Sequence, residues 1–318
     1  MKRSIDKKKS CGFIHEFKKN KVLFLMMVPA LLIIFVNNYM PKFGIFIAFK
    51  NIRYGRNIWE TIFGSRWCGF RNFEYLFTSP DAFIITRNTV LFNFVFIAMG
   101  IVIPVSCAIL LNELKNKTAA KFYQTVFFLP NFLSWVVVAY LGIAFLDHDM
   151  GFINKHILVP MGLDAILWYQ QPKYWIFIIP VAQAWKSFGY GTVIYLAAIS
   201  GFDSEYYEAS YIDGASRWQQ ITSITIPLLK PMMVILTMLA IGRIFYSDFG
   251  LFYQFTLNSG LLAPVTSVLD TYVYRTYLVL SDIGMSSAAG FYQSVVGFIL
   301  VFGSNLIVRK IDKDMALI

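Results

Sequence analysis

Three charged residues, Lys186, Arg243 and Asp248, stand in stretches of otherwise apolar sequence. A charge in such surroundings is costly unless it is paired or faces water, so each is a candidate for contacting a polar solute or a charge on another helix. Arg243 and Asp248 share one predicted helix and are five residues apart, which separates them by about 140° around its axis. We therefore expect each of them to have a different partner.

Aromatic and amide side chains accompany these charges in the apolar stretches. Aromatic faces and amide groups can contact polar solutes, so we expect some of these residues to line a polar path between the helices. The alternative for each of them is ordinary packing or pairing between helices. The candidate path residues are Asn131, Trp135, Trp185, Lys186, Tyr190, Arg243, Tyr246, Asp248, Tyr253, Gln254, Tyr292 and Gln293.

No segment offers the residues of a nucleotide-hydrolysing or metal-dependent enzyme. The phosphate-binding motif G-x-x-x-x-G-K-[ST] does not occur, and its nearest fragment, QAWKS, lacks both glycines. His15, His148 and His156 lie in predicted loops, so they cannot gather as a metal site or general base within the membrane. We expect no catalytic residue, no metal site and no cofactor in this chain. A membrane enzyme or a passive channel is the less favoured alternative.

The elements that position these residues follow from the composition. Of 318 residues, 57% are hydrophobic and only 14% charged, and the mean hydropathy is +0.58, which is typical of a polytopic membrane protein. Six stretches are long and apolar enough to cross about 30 Å of hydrocarbon as helices. We predict an all-α polytopic membrane protein with six transmembrane helices at 22–40, 89–111, 122–146, 174–199, 231–252 and 289–308.

The distribution of Lys and Arg predicts the orientation. The first 21 residues carry eight of these cations, and cytoplasmic segments retain Lys and Arg more often than outer segments do. With this end inside, the inner segments hold 16 Lys+Arg and the outer segments 10. We therefore expect both termini in the cytoplasm. The predicted divisions are a basic N-terminus at 1–21, the first span at 22–40, an extracellular loop at 41–88, a core at 89–308 and a C-terminus at 309–318.

The polar segment between the fourth and fifth predicted spans has an ordered pattern, GFDSEYYEASYIDGASRWQQITSITIPLLKP. Ser204 can cap a short helix that ends near Asp213, and Gly214 can turn the chain at positive φ. Ser216 with Gln219 forms the S-x-x-Q capping box that starts a second helix. The pattern therefore predicts a helix, a turn and a second helix.

This unit carries side chains that are too large and apolar to be left in water. They are Tyr207, Tyr211, Ile212 and Trp218. Carboxylates and one Arg stand beside them, a mixture that is typical of a docking surface. The alternative is an amphipathic hairpin that lies on lipid headgroups. Two prolines, Pro227 and Pro231, are expected to separate the unit from the fifth span.

At this segment the chain resembles the permease subunits of binding-protein-dependent ABC importers. The inner loop of that family reads E-A-A, three residues, Gly, nine residues and I-x-L-P. The corresponding residues, at matching spacing, are Glu208, Ala209, Ser210, Gly214, Ile224, Ile226 and Pro227. Ser210 in place of Ala and Ile226 in place of Leu are two conservative departures that leave the length of the motif unchanged.

Other stretches are similar to the oligosaccharide-importing branch of the same family, and the likeness covers nearly the whole chain. They read MPKFGIFIAFKN, CGFRNFEYLF, FFLPNFLSWVVVAYLG, YLAAISGFD, LDTYVYRTY and SVVGFILVFGSNLIVRK. The resemblance implies an ABC importer type I permease-like fold, with cytoplasmic coupling helices between the fourth and fifth spans.

The resemblance also implies half of a transporter in the bacterial cytoplasmic membrane. A second permease subunit forming a heterodimer, two ATP-binding cassette ATPase subunits and an extracellular or periplasmic sugar-binding protein would complete it, with no nucleic acid involved. The ATPase would move the spans through the loop 203–227. The implied coupling residues are Tyr207, Glu208, Ala209, Ser210, Tyr211, Asp213, Gly214, Ala215, Trp218, Ile224 and Pro227.

The implied substrate is an oligosaccharide or a related polyol-rich solute. The alternative is the same type of permease for a non-sugar solute, such as a peptide or a glycerol-phosphate-like compound. The predicted outer loop, 41–88, carries seven Lys and Arg. It either helps to attract acidic oligosaccharides such as uronates or forms a folded apron against the binding protein and the membrane surface.

Overall fold

The first helical segment of the chain is peripheral. The computed structural model describes residues 19–52, 57–278 and 281–311, so most of the predicted N-terminus and the end of the predicted C-terminus lie outside the described residues. Helix α1, Lys21–Ile34, continues through a π-helical turn at Phe35–Tyr39 and a 3-10 segment at Met40–Phe49. No side chain of α1 is buried, as expected for a helix whose apolar surface faces lipid on all sides.

The predicted outer loop is a small folded layer against the last helix of the chain. Its elements are β1 (Lys50–Asn51), α2 (Ile58–Gly64), β2 (Arg66–Trp67) and α3 (Tyr75–Thr78), and the two strands pair antiparallel. The Asn72 side chain donates to the backbone oxygen of Ala48 at 2.9 Å. The Phe49 ring packs edge-on against Phe291, with 5.5 Å between ring centroids. These contacts hold the layer in place.

Two long helices form the centre of the fold, α4 at Pro80–Glu113 and α7 at Pro172–Ser200. Ser79 caps α4 by accepting a hydrogen bond from a backbone N–H of the first turn at 3.1 Å. The helices approach closely because Gly191 of α7 meets Pro104 of α4. A Cβ added at Gly191 would lie 2.9 Å from the proline ring.

The predicted third span is broken into two helices. Helix α5, Lys117–Phe128, runs into a 3-10 turn at Leu129–Phe132, and helix α6 follows at Trp135–Leu146. The two parts meet at 98°. Pro130 removes a backbone donor at the break, and Ser134 starts α6 by accepting a hydrogen bond from a first-turn N–H at 3.3 Å.

The polar segment after α7 leads directly into a transmembrane helix. Helix α8 is Ser204–Ile212. Helix α9 (Arg217–Gln220), a π-helical turn (Ile221–Thr225) and helix α10 (Ile226–Ile241) then form one continuous helix of 25 residues. This helix starts and ends earlier than the predicted fifth span, 231–252.

The chain after α10 leaves the helical path because other segments bond its backbone. Gln293 donates to the Phe245 carbonyl at 2.8 Å, and the Ser247 N–H donates to the Asp270 carboxylate. These groups cannot then bond along a helix. A π-helical segment resumes at Gly250–Phe255.

The remaining elements complete the outer part and the last span. Between α6 and α7, the buried Asn154 side chain donates to the Ile166 carbonyl at 2.9 Å and accepts from the Trp168 indole at 2.9 Å, which closes the connection into a compact loop. The short helical turns are Asn154–Leu158, Val159–Met161, Trp168–Gln170 and Gly260–Leu262, and the last helices are α11 (Ala263–Thr266), α12 (Leu269–Leu278) and α13 (Ile283–Ile311).

Within the described residues, four helices are long and apolar enough to cross a membrane, or five if the bent pair of α5 and α6 is one span. They are Lys21–Phe49, Asp81–Glu113, Arg217–Ile241 and Ile283–Lys310. The predicted fourth span corresponds to α7, which has 29 residues but interrupts its apolar sequence with Gln183, Lys186 and Ser187. The predicted count of six spans is therefore not confirmed, although a helix lies at or near each predicted position.

Candidate functional site

The turn between α8 and α9 has the predicted glycine conformation. Gly214 has φ +78°, and the N–H groups of Gly214 and Ala215 bond the carbonyls of Tyr211 and Ser210 at 3.1 and 2.9 Å. The predicted cap at the start of α8 was one residue late. The Asp203 side chain, not Ser204, caps the helix by accepting from a first-turn N–H at 3.0 Å, because a carboxylate in the extended N-cap position reaches that donor.

The predicted capping box at Ser216 and Gln219 is present. The second helix is not separate from the span, however, because α9 continues without a break into α10. The π-helical turn at Ile221–Thr225 precedes Pro227. A π-helical turn inside an α-helix changes the spacing of the backbone hydrogen bonds locally without ending the helix. Because α9 and α10 form one helix, we expect them to move together.

Two of the predicted coupling residues hold α8 and α9 together rather than facing solvent. The Tyr207 hydroxyl lies 3.0 Å from the Thr225 hydroxyl. The buried Gln220 side chain donates to the Ser210 hydroxyl at 2.9 Å and to the Tyr207 carbonyl at 3.3 Å. Sequence reasoning missed Gln220 and Thr225. Ser210, a departure from the family motif, is the partner that Gln220 requires.

The solvent-exposed side of the hairpin, residues 203–227, carries large apolar side chains. Tyr211 is 75% exposed, Ile212 83% and Trp218 72%. Tyr206, which was not predicted, is 58% exposed beside them. Among the other predicted coupling residues, Glu208, Ala209, Asp213, Gly214 and Pro227 are exposed, and Ala215 and Ile224 are half-buried. We call the patch of Tyr206, Tyr211, Ile212 and Trp218 the hairpin face.

A second group of predicted residues meets where the third and fifth spans are broken. The Lys186 ammonium donates to the Asn131 carbonyl at 3.2 Å and lies 5.4 Å from the Trp135 ring centroid. The Trp135 indole donates to the Asp248 carboxylate at 2.6 Å. Gly250 allows this approach, because a Cβ there would lie 2.2 Å from the indole. The structure thus brings four candidate path residues together.

The expectation that Arg243 and Asp248 share one helix is wrong. Helix α10 ends at Ile241, so both residues lie in the turns that follow it. The Asp248 carboxylate caps the next segment by accepting from the Gly250 N–H at 2.9 Å. The angular separation calculated for a continuous helix does not apply, although the two residues do have different surroundings.

A cavity of about 590 Å³ opens between α4, α7 and α10 beside this group. The predicted residues that line it are Tyr190, Arg243, Tyr246 and Asp248. It also receives Asn93, Gln183 and Ser247, which sequence reasoning missed. The Gln183 side-chain oxygen is buried without a hydrogen-bond partner among the described residues, which is unfavourable unless a bound molecule satisfies it.

Several predicted path residues lie outside this cavity and have packing roles. Trp185 lines a separate apolar cavity of about 400 Å³ between α6 and α7. Tyr253 stacks on Phe249 with centroids 4.7 Å apart, and Tyr292 meets Phe245 edge-on at 5.7 Å. Gln293 is buried and bonds the Phe245 carbonyl, and Gln254 is half-buried in the π-helical segment. None of these five residues lines the cavity of about 590 Å³, and their place in a path stays a prediction.

The part of the chain that the structure describes contains no group of three or more His, Cys, Asp or Glu residues that could hold a metal ion. His148 lies 3.8 Å from Asp149, and the His148 side chain is 42% exposed. A cavity lined by charged, amide and aromatic side chains can bind a polar solute.

Residues 100–313 match the family described as binding-protein-dependent transport system inner membrane component. The chain is 33% identical over 306 residues to Protein LplB of Bacillus subtilis (strain 168), covering 96% of this chain and 94% of that protein. It is 33% identical over 296 residues to the polygalacturonan/rhamnogalacturonan transport system permease protein YteP of the same organism, covering 93% and 90%. A chain of the crystal structure of a bacterial ABC transporter involved in the import of the acidic polysaccharide alginate has a TM-score of 0.84 and 30% identity, covering 94% and 98%.

Proposed function

Because this chain belongs to the family of binding-protein-dependent transport system inner membrane components, we propose that it is one permease half of an ATP-driven importer of oligosaccharides. Membership makes it a multi-pass membrane transport subunit with the ABC importer type I permease fold, and not an enzyme. ATP hydrolysis belongs to a separate subunit of such transporters.

The observation that carries the proposal is the hairpin face at the end of a continuous helix. Its large apolar side chains are exposed beside Glu208 and Asp213, and surfaces of this kind bind other proteins. Four carboxylates stand in the hairpin against Arg217 and Lys230, a balance that opposes adsorption to anionic lipid. We therefore assign the hairpin face to one of two ATPase subunits.

The proposed orientation places the hairpin and both termini in the cytoplasm. The Arg217 guanidinium lies 3.9 Å from the Glu113 carboxylate at the end of α4, so this end of α4 and the hairpin share one side of the membrane. The folded layer of β1, α2, β2 and α3 would then lie on the outer side, where a sugar-binding protein would dock. The excess of Lys and Arg in the first 21 residues supports this orientation.

The continuous helix connects the hairpin to the cavity. When ATP closes the ATPase dimer, the hairpin face would move with the ATPase, and α9 with α10 would move with the hairpin. The far end of α10 leads to Arg243 and Asp248, and the Trp135 bond links Asp248 to α6. Displacement of the helix would therefore reshape the cavity from the side of the fifth span.

An oligosaccharide is the solute that the cavity supports best. Tyr190 and Tyr246 offer aromatic faces, and Asn93 and Gln183 offer amide groups. This combination suits rings with many hydroxyl groups. We propose that a second, different permease supplies the other wall and forms a heterodimer with this chain. A non-sugar solute, such as a peptide or a glycerol-phosphate-like compound, is the alternative.

The test is purification of the complete importer from cells that express its subunits, followed by reconstitution in liposomes with the binding protein. Trp218→Ala should reduce the ATPase retained on this chain and lower sugar-stimulated hydrolysis. Trp67→Ala is the matched control, because Trp67 is 63% exposed in the outer layer. Full retention of the ATPase by Trp218→Ala, or equal loss in both variants, contradicts the proposed coupling surface. Sugar uptake that continues without any ATPase contradicts the proposed function.

A further inference from the structure

Two cations of the membrane region have no carboxylate partner among residues 19–52, 57–278 and 281–311. The Arg243 guanidinium makes no hydrogen bond or ion pair there, and the Lys186 ammonium bonds only the Asn131 carbonyl. A cation at membrane depth is costly unless a partner compensates its charge. An anion in the working transporter would compensate the charge of these two side chains.

The nearby carboxylate does not compensate them. One Asp248 oxygen accepts from the Trp135 indole at 2.6 Å, and the other accepts from the N–H groups of Gly250 and Leu251 at 2.9 and 3.4 Å. Three neutral donors thus satisfy this carboxylate in place. It forms no ion pair with either cation within the described residues.

One cation borders the cavity, and the other stands on a helix face that lines it. Arg243 lines the cavity of about 590 Å³ directly. Lys186 stands three residues after Gln183 and four before Tyr190 on α7, and residues at this spacing share one helix face. Gln183 and Tyr190 both line the cavity. The cavity is therefore bordered by one cation, one satisfied carboxylate, amides and aromatic rings, with Lys186 on the adjoining face of α7.

We propose that this cavity selects acidic oligosaccharides, with the Arg243 guanidinium binding a uronic acid carboxylate and Lys186 adding to the positive potential. The inference rests on the proposed function as a sugar importer and specifies its substrate class. A guanidinium presents paired donors that match a planar carboxylate. Tyr190 and Tyr246 stack on the neutral faces of the rings, and the side-chain amides of Asn93 and Gln183 bond sugar hydroxyls.

The test compares uronate oligosaccharides with their carboxyl-reduced counterparts of the same length, using oligogalacturonate and oligoalginate as probes. Uptake is measured in the complete reconstituted importer. Wild type should take up at least one uronate probe in preference to its reduced form. Arg243→Gln should raise the half-saturating concentration of that uronate about 10- to 100-fold, and Arg243→Lys should restore part of the loss. Arg275→Gln, which removes an outer cation bonded to Asn258, should change it less than twofold.

The other possible results distinguish the acidic substrate class from the proposed function as a sugar importer. Preference for the reduced sugars overturns the acidic class while leaving the sugar importer intact. Equal losses for uronate and reduced sugar in Arg243→Gln overturn it too, as does failure of this variant to assemble, because Arg243 would then pair with a carboxylate of the second permease. Wild-type uptake of a non-sugar solute, with no oligosaccharide transported, overturns the proposed function itself.

Discussion

Replacing Gly214 should uncouple the ATPase through backbone strain alone. Gly214 has φ +78°, and no atom lies within 4 Å of the position that a Cβ would take. Steric contact with neighbouring atoms therefore adds nothing to the free-energy cost of a side chain at position 214. The cost is that of a Cβ in the left-handed region, about 1–2 kcal/mol for Ala, and it is higher for Val, which is branched at Cβ.

The strain acts on the relative position of the two helices. A cost of about 1.4 kcal/mol changes a conformational population tenfold, so Val should shift the turn toward other conformations. Tyr211 and Ile212 lie on one side of this turn and Trp218 on the other. The hairpin face would then lose the arrangement that fits the ATPase, while the spans keep theirs.

The assay is ATPase retention and sugar-stimulated hydrolysis in the complete importer. Activity should fall in the order Asn, Ala, Val at position 214, because Asn tolerates the left-handed region. Gly162→Val is the matched control. Gly162 has φ +76° and equally open surroundings, but it lies in the connection between α6 and α7. Full coupling in Gly214→Val, or the same loss in Gly162→Val, would refute the reasoning.

Three further changes test other contacts. Glu208→Lys should weaken ATPase binding 30-fold or more, which corresponds to about 2–5 kcal/mol for a lost, desolvated charge pair. A charge-reversed ATPase partner should restore binding. No rescue by any charge-reversed partner would contradict the pairing. Gln220→Ala should lower the stability of the hairpin by about 1–3 kcal/mol, since the Ser210 and Tyr207 acceptors lose their donor. Amide hydrogen exchange of α8 should therefore accelerate. Unchanged exchange would show that these bonds are not needed. Trp135→Phe should remove the Asp248 bond and slow transport without loss of ATPase binding, as measured by uptake and co-purification, whereas uptake at the wild-type rate would show that the bond does not matter.

The local chemistry of the hairpin was predictable because its signals are short-range. A glycine after a helix and the Ser216–Gln219 box specify a turn and a helix start from neighbouring residues alone. The cap was misplaced by one residue, since Asp203 and Ser204 are both good N-caps. The bonds of Gln220 to residues across the turn depend on packing, and no periodicity reveals them.

The helix breaks near the cavity were the least predictable feature. Apolar sequence continues from α10 through Phe255, so hydropathy alone predicts a span to residue 252. The helix ends at Ile241, and Gln293 and Asp270 then bond the Phe245 carbonyl and the Ser247 N–H. Both partners are distant in sequence, so hydropathy does not reveal these bonds.

In the proposed transporter, the unbroken helix from Arg217 to Ile241 would transmit movement of the hairpin to the end of the helix beside the cavity. Its 25 residues correspond to a length of about 37 Å. A tilt of about 10° imposed at the hairpin end would carry the other end through about 6 Å, given that length, which exceeds the separation of two packed atoms. A flexible joint at Pro227 would dissipate that stroke, so in the proposed transporter the helical continuity through the π turn would set how far the cavity end of this helix travels per ATPase cycle.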